Sequence, residues 1–327
     1  MTAANLAELS ALSARLGRDP MLVQGGGGNT SIKIGDTLWV KASGKWLAAA
    51  DAEDIFVAVD LPGVRAAIAA DAADPVSVHV RPGATLRPSI ETTLHALLPH
   101  GVVLHLHSVN CLAAAVLSDG RQRIAAALDG LNWAWLDYCR PGIDLTRAVA
   151  RLDGGPFDVI VLGSHGIVIG ASDCTSAEAL VAEVERRLAV PNRAAPAADL
   201  TALDAARLQG PWKIPADARL HALATDPASF AHAMAGPLFP DQVVFLGPHL
   251  SRDPLSADAV ACLLPGRGVL VREDITAGQT EMLLCLALLM PRLAAQAPLM
   301  PLPEDEVRAI GGWEAEKYRI GLDAKRG

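Results

Sequence analysis

The chain has 327 residues, 51% of them apolar, and a formal net charge of −8 with a pI near 5.6. A chain of this length can bury more than one core, so we expect two domains. The acidic balance and the lack of a basic run disfavour binding to nucleic acid or to an anionic membrane. The longest apolar run, Met282 to Met290, is too short to span a bilayer, and we interpret it as a buried helix.

The N-terminal segment and the cysteines indicate a cytoplasmic protein. Four leucines recur at helical spacing: Leu6, Leu9, Leu12 and Leu16. This pattern is typical of an amphipathic first helix and differs from the apolar core of a signal peptide. Five cysteines are scattered without Cys-x-x-Cys spacing, so we expect reduced, mostly buried thiols and no disulfides.

Strands and helices alternate in the first part of the chain. After the first helix, four glycines lead into two predicted strands, 32–34 and 37–40, which Gly35-Asp36 joins as a hairpin. Ser89 is the candidate N-cap of a helix that reaches Leu98. The later predicted elements are a strand over 102–107, a helix near 109–117, strands over 133–138, 159–162 and 167–169, and a helix from the capping box Thr175-x-x-Glu178 to about residue 189.

A proline- and alanine-rich stretch follows residue 190 and predicts a domain boundary. We therefore expect a first domain over 1–190, a linker over 191–202 and a small α/β accessory domain of unassigned role over 203–327. In the accessory domain the sequence predicts strands over 243–246, 261–264 and 268–271 and a helix over 276–293. Its histidines share no spacing, and we interpret them as ordinary histidines: His221, His232 and His249.

His105 and His107 lie one residue apart on a predicted strand, so both side chains point to one face and can bind one ion. His165 lies in the connection between two later strands. Three imidazoles leave one position open on a tetrahedral cation, which is the arrangement of a catalytic zinc site. A lone His-x-His is as often two half-buried histidines with hydrogen-bond partners, so the metal interpretation depends on the neighbouring motifs.

Glu91, in Pro-Ser-x-Glu, lies in the first turn of the helix that precedes the His-x-His strand. A solvated surface carboxylate is the usual finding at such a position. The alternative is a base that accepts a proton made acidic by metal coordination of a neighbouring carbonyl. His95 lies one helical turn later, and we expect it to pack against or orient Glu91 rather than bind metal.

Three segments offer hydrogen-bond donors to one phosphate. The glycine run can bring backbone amides close to an anion, although a flexible tight turn is the alternative. Ser89 would lie at a helix N-terminus, where the helix dipole favours an anion. The predicted phosphate site comprises Gly28, Asn29, Ser43, Gly44 and Ser89, with Lys45 as an additional donor.

In this order, the motifs resemble the class II aldolase/adducin family over residues 1–190. The matching segments are Gly-Gly-Asn29-x-Ser31, Lys41-Ala-Ser43-Gly44, Pro-Ser89-x-Glu91, His105-Leu-His107 and Ser-His165-Gly. Three further segments look most like the aldolase half of bifunctional rhamnulose-1-phosphate aldolase/alcohol dehydrogenases: Pro-Ser-x-Glu-Thr-x-Leu-His, Tyr138-x-x-Pro-Gly-x-Asp144-Leu and Trp313-Glu-x-Glu-Lys-Tyr. The resemblance implies an α/β class, a three-layer α/β/α fold with a mostly antiparallel sheet, and a homo-oligomer, often a cyclic tetramer.

The resemblance also implies a zinc-dependent aldolase, with another divalent transition metal as the alternative. Zn²⁺ on His105, His107 and His165 would bind the hydroxyl and carbonyl oxygens of a rhamnulose- or fuculose-phosphate-like ketose 1-phosphate. Glu91 would move the proton, and cleavage through an enediolate would give dihydroxyacetone phosphate and an aldehyde. Family aldolases also use a tyrosine from a neighbouring subunit, and of the two tyrosines here neither clearly occupies that position: Tyr138 and Tyr318.

Four other functions are alternatives. The same metal site supports sugar-phosphate epimerases and decarboxylases within the superfamily, and an adducin-like binding module keeps the fold without catalysis. A nicotinamide oxidoreductase would require a dinucleotide fingerprint. Gly26-x-Gly28-x-x-Ser31 lacks the third glycine of that fingerprint and leads into strands rather than a helix.

Overall fold

The structure is a computed structural model that describes residues 2–256, 258–312 and 321–323. The chain divides into two compact units: Met1–Cys111 with Ile124–Leu188, and Leu112–Arg123 with Ala189–Gly327. Residues 112–123, which the sequence assigned to the first domain, are therefore grouped with the second unit. The predicted motif that begins at Trp313 lies outside the described residues, and so does Tyr318.

A mixed sheet forms the centre of the first unit. Its strands are β1 (Asn29–Ile34), β2 (Thr37–Lys41), β3 (Phe56–Asp60), β4 (Val102–Leu106), β5 (Trp133–Leu136), β6 (Val159–Leu162) and β7 (Gly166–Ala171). They form a seven-stranded sheet in the order β3-β2-β1-β4-β7-β6-β5. Only the β5–β6 pair is parallel, which confirms the predicted mostly antiparallel sheet.

Helices cover both faces of this sheet. They are α1 (Thr2–Gly17), α2 (Leu61–Ala69), α3 (Thr92–Leu97), α6 (Ile143–Ala150) and α7 (Cys174–Leu188). Helices α4 (Val109–Ala115) and α5 (Gly120–Ala127) each include residues of both units. Leu94 of α3 and Leu145 of α6 pack in one core cluster with Val103 of β4. On the opposite face, Ser13 of α1 hydrogen-bonds Thr30 of β1 at 2.7 Å. The predicted three-layer α/β/α arrangement is therefore confirmed.

The second unit is a smaller α/β assembly. Its strands are β8 (Trp212–Lys213), β9 (Ala261–Leu264) and β10 (Gly268–Arg272), paired in the order β8-β10-β9. Its helices are α8 (Leu200–Ala206), α9 (Ala222–Thr225), α10 (Pro227–Ala233), α11 (Pro240–Leu246), α12 (Ala277–Leu289) and α13 (Glu304–Gly312). Leu203, Trp212 and Leu270 lie in its buried core.

The strand predicted over 243–246 is wrong, because these residues belong to helix α11. A run of Val, Val, Phe and Leu has high strand propensity, but two flanking residues favour a helix. Pro240 lies in the first turn, where a missing N–H costs nothing. Gly247 ends the helix with φ 76°, a conformation that suits glycine.

Two predicted helix starts are also shifted. Helix α7 begins at Cys174, and Asp173 rather than Thr175 accepts the hydrogen bond of a first-turn amide, that of Ser176, at 2.8 Å. The helix predicted from Ser89 begins at Thr92. Ser89 instead stabilises the preceding turn, since its hydroxyl accepts the amide N–H of Glu91 at 3.2 Å. Local side-chain hydrogen bonds explain both shifts: Asp173 caps the first turn of α7, whereas Ser89 binds a backbone amide just before α3.

Two further expectations concern the state of the cysteines and membrane-spanning helices. All five cysteines are free thiols, and four of them are buried. Within the part of the chain that the structure describes, no helix has the length and apolar character needed to cross a bilayer.

Candidate metal centre and active site

Three histidines from two distant segments converge at the end of β4. His105 lies in β4, His107 follows its last residue, and His165 lies in the turn between β6 and β7. Strand β4 pairs antiparallel with β7, with Leu106 opposite Ile167, so the turn before β7 lies beside the end of β4. One ligand nitrogen from each histidine lies within 4.8 Å of the others, and all three side chains are buried.

The orientation of His105 suits a metal ligand. Its Nδ1 lies 3.2 Å from the carbonyl oxygen of Ile167, and because a carbonyl only accepts, Nδ1 carries the proton. The lone pair is then on Nε2, which faces Nε2 of His107 at 3.1 Å. A backbone carbonyl that fixes the tautomer of a histidine is a common second contact of metal ligands.

Glu91 is buried beside the histidines, with 3% of its surface exposed. Its Oε2 lies 3.5 Å from Nε2 of His105, and its Oε1 lies 3.8 Å from Nε2 of His165. The side-chain amide of Asn29 donates to Oε2 at 2.7 Å. Among the described residues, Oε1 accepts no hydrogen bond. The alternative of a solvated surface carboxylate is therefore wrong. Oε2 is held by Asn29 and lies near His105, whereas Oε1 faces His165.

Electrostatics keep this carboxylate ionised. Burial raises the pKa of Glu91, but the attraction of His105 and His165 and the hydrogen bond from Asn29 outweigh burial and lower the pKa to about 2. Burial lowers the pKa of His95 to about 3, and the nearby Glu91 carboxylate opposes this shift. At neutral pH the site therefore contains an anionic Glu91 and a neutral His95.

His95 does not contact the histidine cluster through a hydrogen bond. Its Nδ1 lies 2.6 Å from the hydroxyl of Ser31, and its Nε2 bonds to Oδ1 of Asn29. The sequence expectation was that His95 packs against or orients Glu91. The structure places Asn29 between the two side chains.

The segments predicted to bind phosphate lie next to one another. Strand β2 is continued by a bridge between Ala42 and Pro88, which brings the Ser43 and Ser89 segments together. A Cβ atom on Gly26 would lie 3.7 Å from the carbonyl oxygen of Gly44, so the glycine loop borders this pair. Lys45 is directed elsewhere, because its ammonium forms an ion pair with Glu53 at 2.7 Å.

Gly28 is required by geometry. Its φ is 58°, and a Cβ atom there would lie 2.9 Å from the carbonyl oxygen of His105. Lys41 supports the same loop from a buried position, because its Nζ donates to the carbonyl oxygens of Gly26 and Gly28 at 2.8 and 2.7 Å. Sequence analysis included Lys41 in a family motif but gave this residue no role. The signal that could have revealed its role is a lysine at the end of an apolar strand.

Glu185 of α7 is a second residue that sequence analysis missed. Its carboxylate accepts hydrogen bonds from the Ser108 hydroxyl and, at 2.9 Å, from the Asn110 amide. These two residues follow His107 closely, so Glu185 holds the turn that carries this histidine. A glutamate on an amphipathic helix gives no local signal for such a role.

Of the two tyrosines, Tyr138 lies in the described part of the chain. Its backbone is close to Gly163, two residues before His165, since a Cβ atom on Gly163 would lie 3.2 Å from the amide nitrogen of Tyr138.

Comparison with known proteins agrees with this geometry. The model of the Class II Aldolase and Adducin N-terminal domain matches residues 7–190. L-fuculose phosphate aldolase from Methanococcus vannielii is 29% identical over 163 residues, which are 49% of this chain and 80% of that protein. Uncharacterized oxidoreductase YuxG from Bacillus subtilis is 32% identical over 178 residues, which are 49% of this chain but only 26% of that protein.

Among solved structures, the N-terminal class II aldolase domain of a conserved protein from Thermoplasma acidophilum is similar. Its identity is 29% and its TM-score 0.49, and the match covers 55% of this chain and 90% of that chain. The family model covers more than half of the chain and includes every motif of the buried histidine and glutamate cluster. The chain therefore belongs to the class II aldolase and adducin family.

Proposed function

We propose that this chain is a zinc-dependent aldehyde-lyase that cleaves a ketose 1-phosphate to dihydroxyacetone phosphate and an aldehyde. The observation that carries the proposal is a buried, ionised Glu91 whose Oε1 accepts no hydrogen bond from the residues that the structure describes and lies 3.8 Å from Nε2 of His165, within a cluster of three imidazoles. The relative named L-fuculose phosphate aldolase supports a fuculose- or rhamnulose-phosphate-like substrate. The relative named an oxidoreductase, matched over 26% of its length, supports the resemblance to the bifunctional enzymes.

His105, His107 and His165 would hold the cation. Tetrahedral zinc with ordinary imidazole bonds separates ligand nitrogens by roughly 3.3–3.4 Å, and the 3.1 Å between two of the Nε2 atoms is close to this spacing. The three-nitrogen donor set suits zinc, although another divalent transition metal is compatible with it. When bound, the cation would polarise the hydroxyl and carbonyl oxygens of a ketose.

Glu91 would act as the base through Oε1. The hydrogen bond from Asn29 occupies Oε2, which leaves Oε1 to exchange a proton with the carbon next to the substrate carbonyl. In the cleavage direction the 4-hydroxyl of the ketose would release its proton as the C3–C4 bond breaks and the aldehyde forms. Glu91, protonated at the expense of that hydroxyl, would then deliver a proton to C3 and give dihydroxyacetone phosphate. A negatively charged substrate oxygen beside the histidines would offset their attraction and raise the proton affinity of Glu91.

The phosphate would be held by the loop cluster on the same side of the sheet. The proximity of Gly26 to Gly44 and the bridge between Ala42 and Pro88 support a shared site. The proposed phosphate-binding residues are Gly28, Asn29, Ser43, Gly44 and Ser89. Lys45 is left out, because Glu53 pairs with its ammonium.

Family analogy supports a further proposal: the chain forms a homo-oligomer, with a tetramer as the family's common form. The proline- and alanine-rich composition after residue 190 supports another, that residues 203–327 form an accessory domain after a linker over 191–202. Light scattering after size-exclusion chromatography measures the oligomer mass directly.

A product screen tests the proposed reaction. The zinc-loaded protein is incubated with rhamnulose, fuculose and ribulose phosphates, with the unphosphorylated ketoses as controls. We expect dihydroxyacetone phosphate from a 6-deoxyketose 1-phosphate and much slower turnover of the unphosphorylated sugar. Epimerised or decarboxylated products would replace the aldolase assignment with another reaction of the superfamily. A protein that binds no metal and turns over no sugar would instead be an adducin-like binding module.

A further inference from the structure

We propose that Ser31, His95 and Asn29 form a directional hydrogen-bond relay that positions Glu91, and that His95 is a positioning residue for the base. The proposal rests on the proposed function of Glu91. It changes the role of Asn29, whose side chain then serves the base more than the phosphate.

The relay arises because two polar side chains of strand β1 face two polar side chains of the Glu91–His95 turn. Asn29 and Ser31 are two residues apart on β1, so their side chains lie on one face of the sheet. Glu91 and His95 are one helical turn apart, and the amide of His95 bonds to the carbonyl oxygen of Glu91 at 3.2 Å. The motifs Asn-x-Ser and Glu-x-x-x-His therefore present two polar side chains each to the same buried space.

The direction of each hydrogen bond is determined by its chemistry. The carboxylate of Glu91 only accepts, so the amide nitrogen of Asn29 faces it and Oδ1 faces His95. Because Oδ1 also only accepts, Nε2 of His95 carries the proton. A neutral imidazole then has an accepting Nδ1, and the hydroxyl of Ser31 donates to it at 2.6 Å.

Burial makes this order of donors and acceptors strict. Ser31 and His95 have no exposed surface, and Asn29 and Glu91 expose 5% and 3%. The pKa of His95, lowered by burial to about 3, agrees with a neutral ring. If the proton moved to Nδ1, the amide of Asn29 would have to rotate and place Oδ1 against the carboxylate. Two acceptor oxygens would then meet in a buried space, so the relay selects the one orientation of the Asn29 amide that donates to Oε2 of Glu91.

Steady-state kinetics of two substitutions test the positioning role. His95→Leu removes the donor to Asn29, whereas His95→Gln keeps an N–H near the position of Nε2. We expect His95→Leu to lower kcat by roughly 10–100-fold with KM and zinc content nearly unchanged, because a misplaced base slows only the proton transfer. His95→Gln should recover most of the lost kcat. Equal kcat values for both variants, whether both normal or both reduced, would overturn the proposal.

Ser31→Ala is a milder variant for the case in which His95→Leu does not fold. It deletes only the hydroxyl that donates to Nδ1 of His95, and we expect a loss of kcat of about 3–10-fold at unchanged KM. An unchanged kcat in a folded, zinc-loaded Ser31→Ala protein would contradict the relay.

A spectroscopic measurement separates the relay from the proposed function. With ¹⁵N-labelled histidine, long-range ¹H–¹⁵N spectra identify the protonated ring nitrogen, and His95→Gln assigns the signal of His95. We expect a neutral ring with the proton on Nε2, both before and after zinc is added. A proton on Nδ1 would overturn the relay whatever the activity. If Nε2 carries the proton but the protein turns over no sugar phosphate, the hydrogen-bond order stands and the proposed function fails.

Discussion

Buried histidines occur in both units, but their partners differ. In the first unit, His105, His107 and His165 face one another and a carboxylate. In the second unit, Nδ1 of His221 accepts the amide N–H of Val269 at 3.1 Å, and Nε2 of His232 donates to the carbonyl oxygen of Ala294 at 2.9 Å.

Burial alone therefore does not identify a functional histidine. His107 and His165 are each 6% exposed, and His221 and His232 are 6% and 5% exposed. What distinguishes the two groups is that backbone groups complement the second pair, whereas imidazole nitrogens and a carboxylate oxygen meet in the first group. A functional site typically contains side chains that are arranged to bind an ion or a substrate rather than to bind each other.

Removing a histidine of the cluster should have the largest effect. We expect His105→Ala to lose bound zinc and to lower kcat/KM by about 10³-fold or more, because two imidazoles hold the ion poorly and leave the substrate oxygens unpolarised. Elemental analysis and turnover measure the two losses. His221→Ala is the matched control from the second unit and should keep its zinc. Zinc loss in both variants would mean that the cluster is not a distinct metal site.

Glu91→Gln should have the next largest effect while leaving the metal in place. The amide keeps the shape of the carboxylate but cannot accept the proton, and loss of a general base costs about 10²–10⁴-fold. Deuterium exchange at the carbon next to the carbonyl of dihydroxyacetone phosphate measures this step directly. Glu183→Gln on α7, where Arg186 and Arg187 pair with the partly exposed carboxylate, is the control and should exchange normally. Normal exchange in the Glu91→Gln protein would remove the base assignment.

Lys41 is a residue of the first unit whose role resembles that of His232, because both side chains donate to backbone carbonyl oxygens. Its substitution separates support of the glycine loop from metal binding. We expect Lys41→Met to destabilise the fold by about 1–3 kcal/mol, since one buried and one partly buried carbonyl group lose their donor. It should also raise KM for the phosphorylated ketose roughly 10-fold, because these carbonyls belong to the glycine loop.

Lys33→Met is the control for Lys41, because Nζ of Lys33 donates to the carbonyl oxygen of His100 at 2.6 Å and does not bond to the loop. Chemical denaturation and steady-state kinetics compare the two variants. A rise of KM in both would indicate a general loss of order rather than support of the loop by Lys41.

The smallest effect is expected from His232→Leu in the second unit. The carbonyl oxygen of Ala294 loses its donor, which costs about 1–3 kcal/mol in the free energy of unfolding. Zinc content and kcat should be unchanged. A loss of zinc here would break the contrast between the histidines of the two units.

The sequence by itself predicted the fold class, and it singled out the three histidines and the glutamate that the structure brings together. Alternation in strands predicted the β1–β2 hairpin, and the i, i+2 spacing of His105 and His107 predicted their common face. These features are local, since backbone periodicity decides which side chains share a face. Local patterns gave the wrong element at α11, because a short apolar run suits a strand as well as a helix. They also gave the wrong start for α3, because a turn precedes the helix and Thr92 is its first residue.

Only the tertiary structure decided how the site residues are used. It buried Glu91, placed Asn29 between Glu91 and His95, directed Lys45 to Glu53 and brought Glu185 to Ser108. Asn29 and Glu91 are 62 residues apart, and Ser108 and Glu185 are 77 residues apart. No local pattern encodes such pairs, because each arises when separate elements pack and their buried polar groups must find partners.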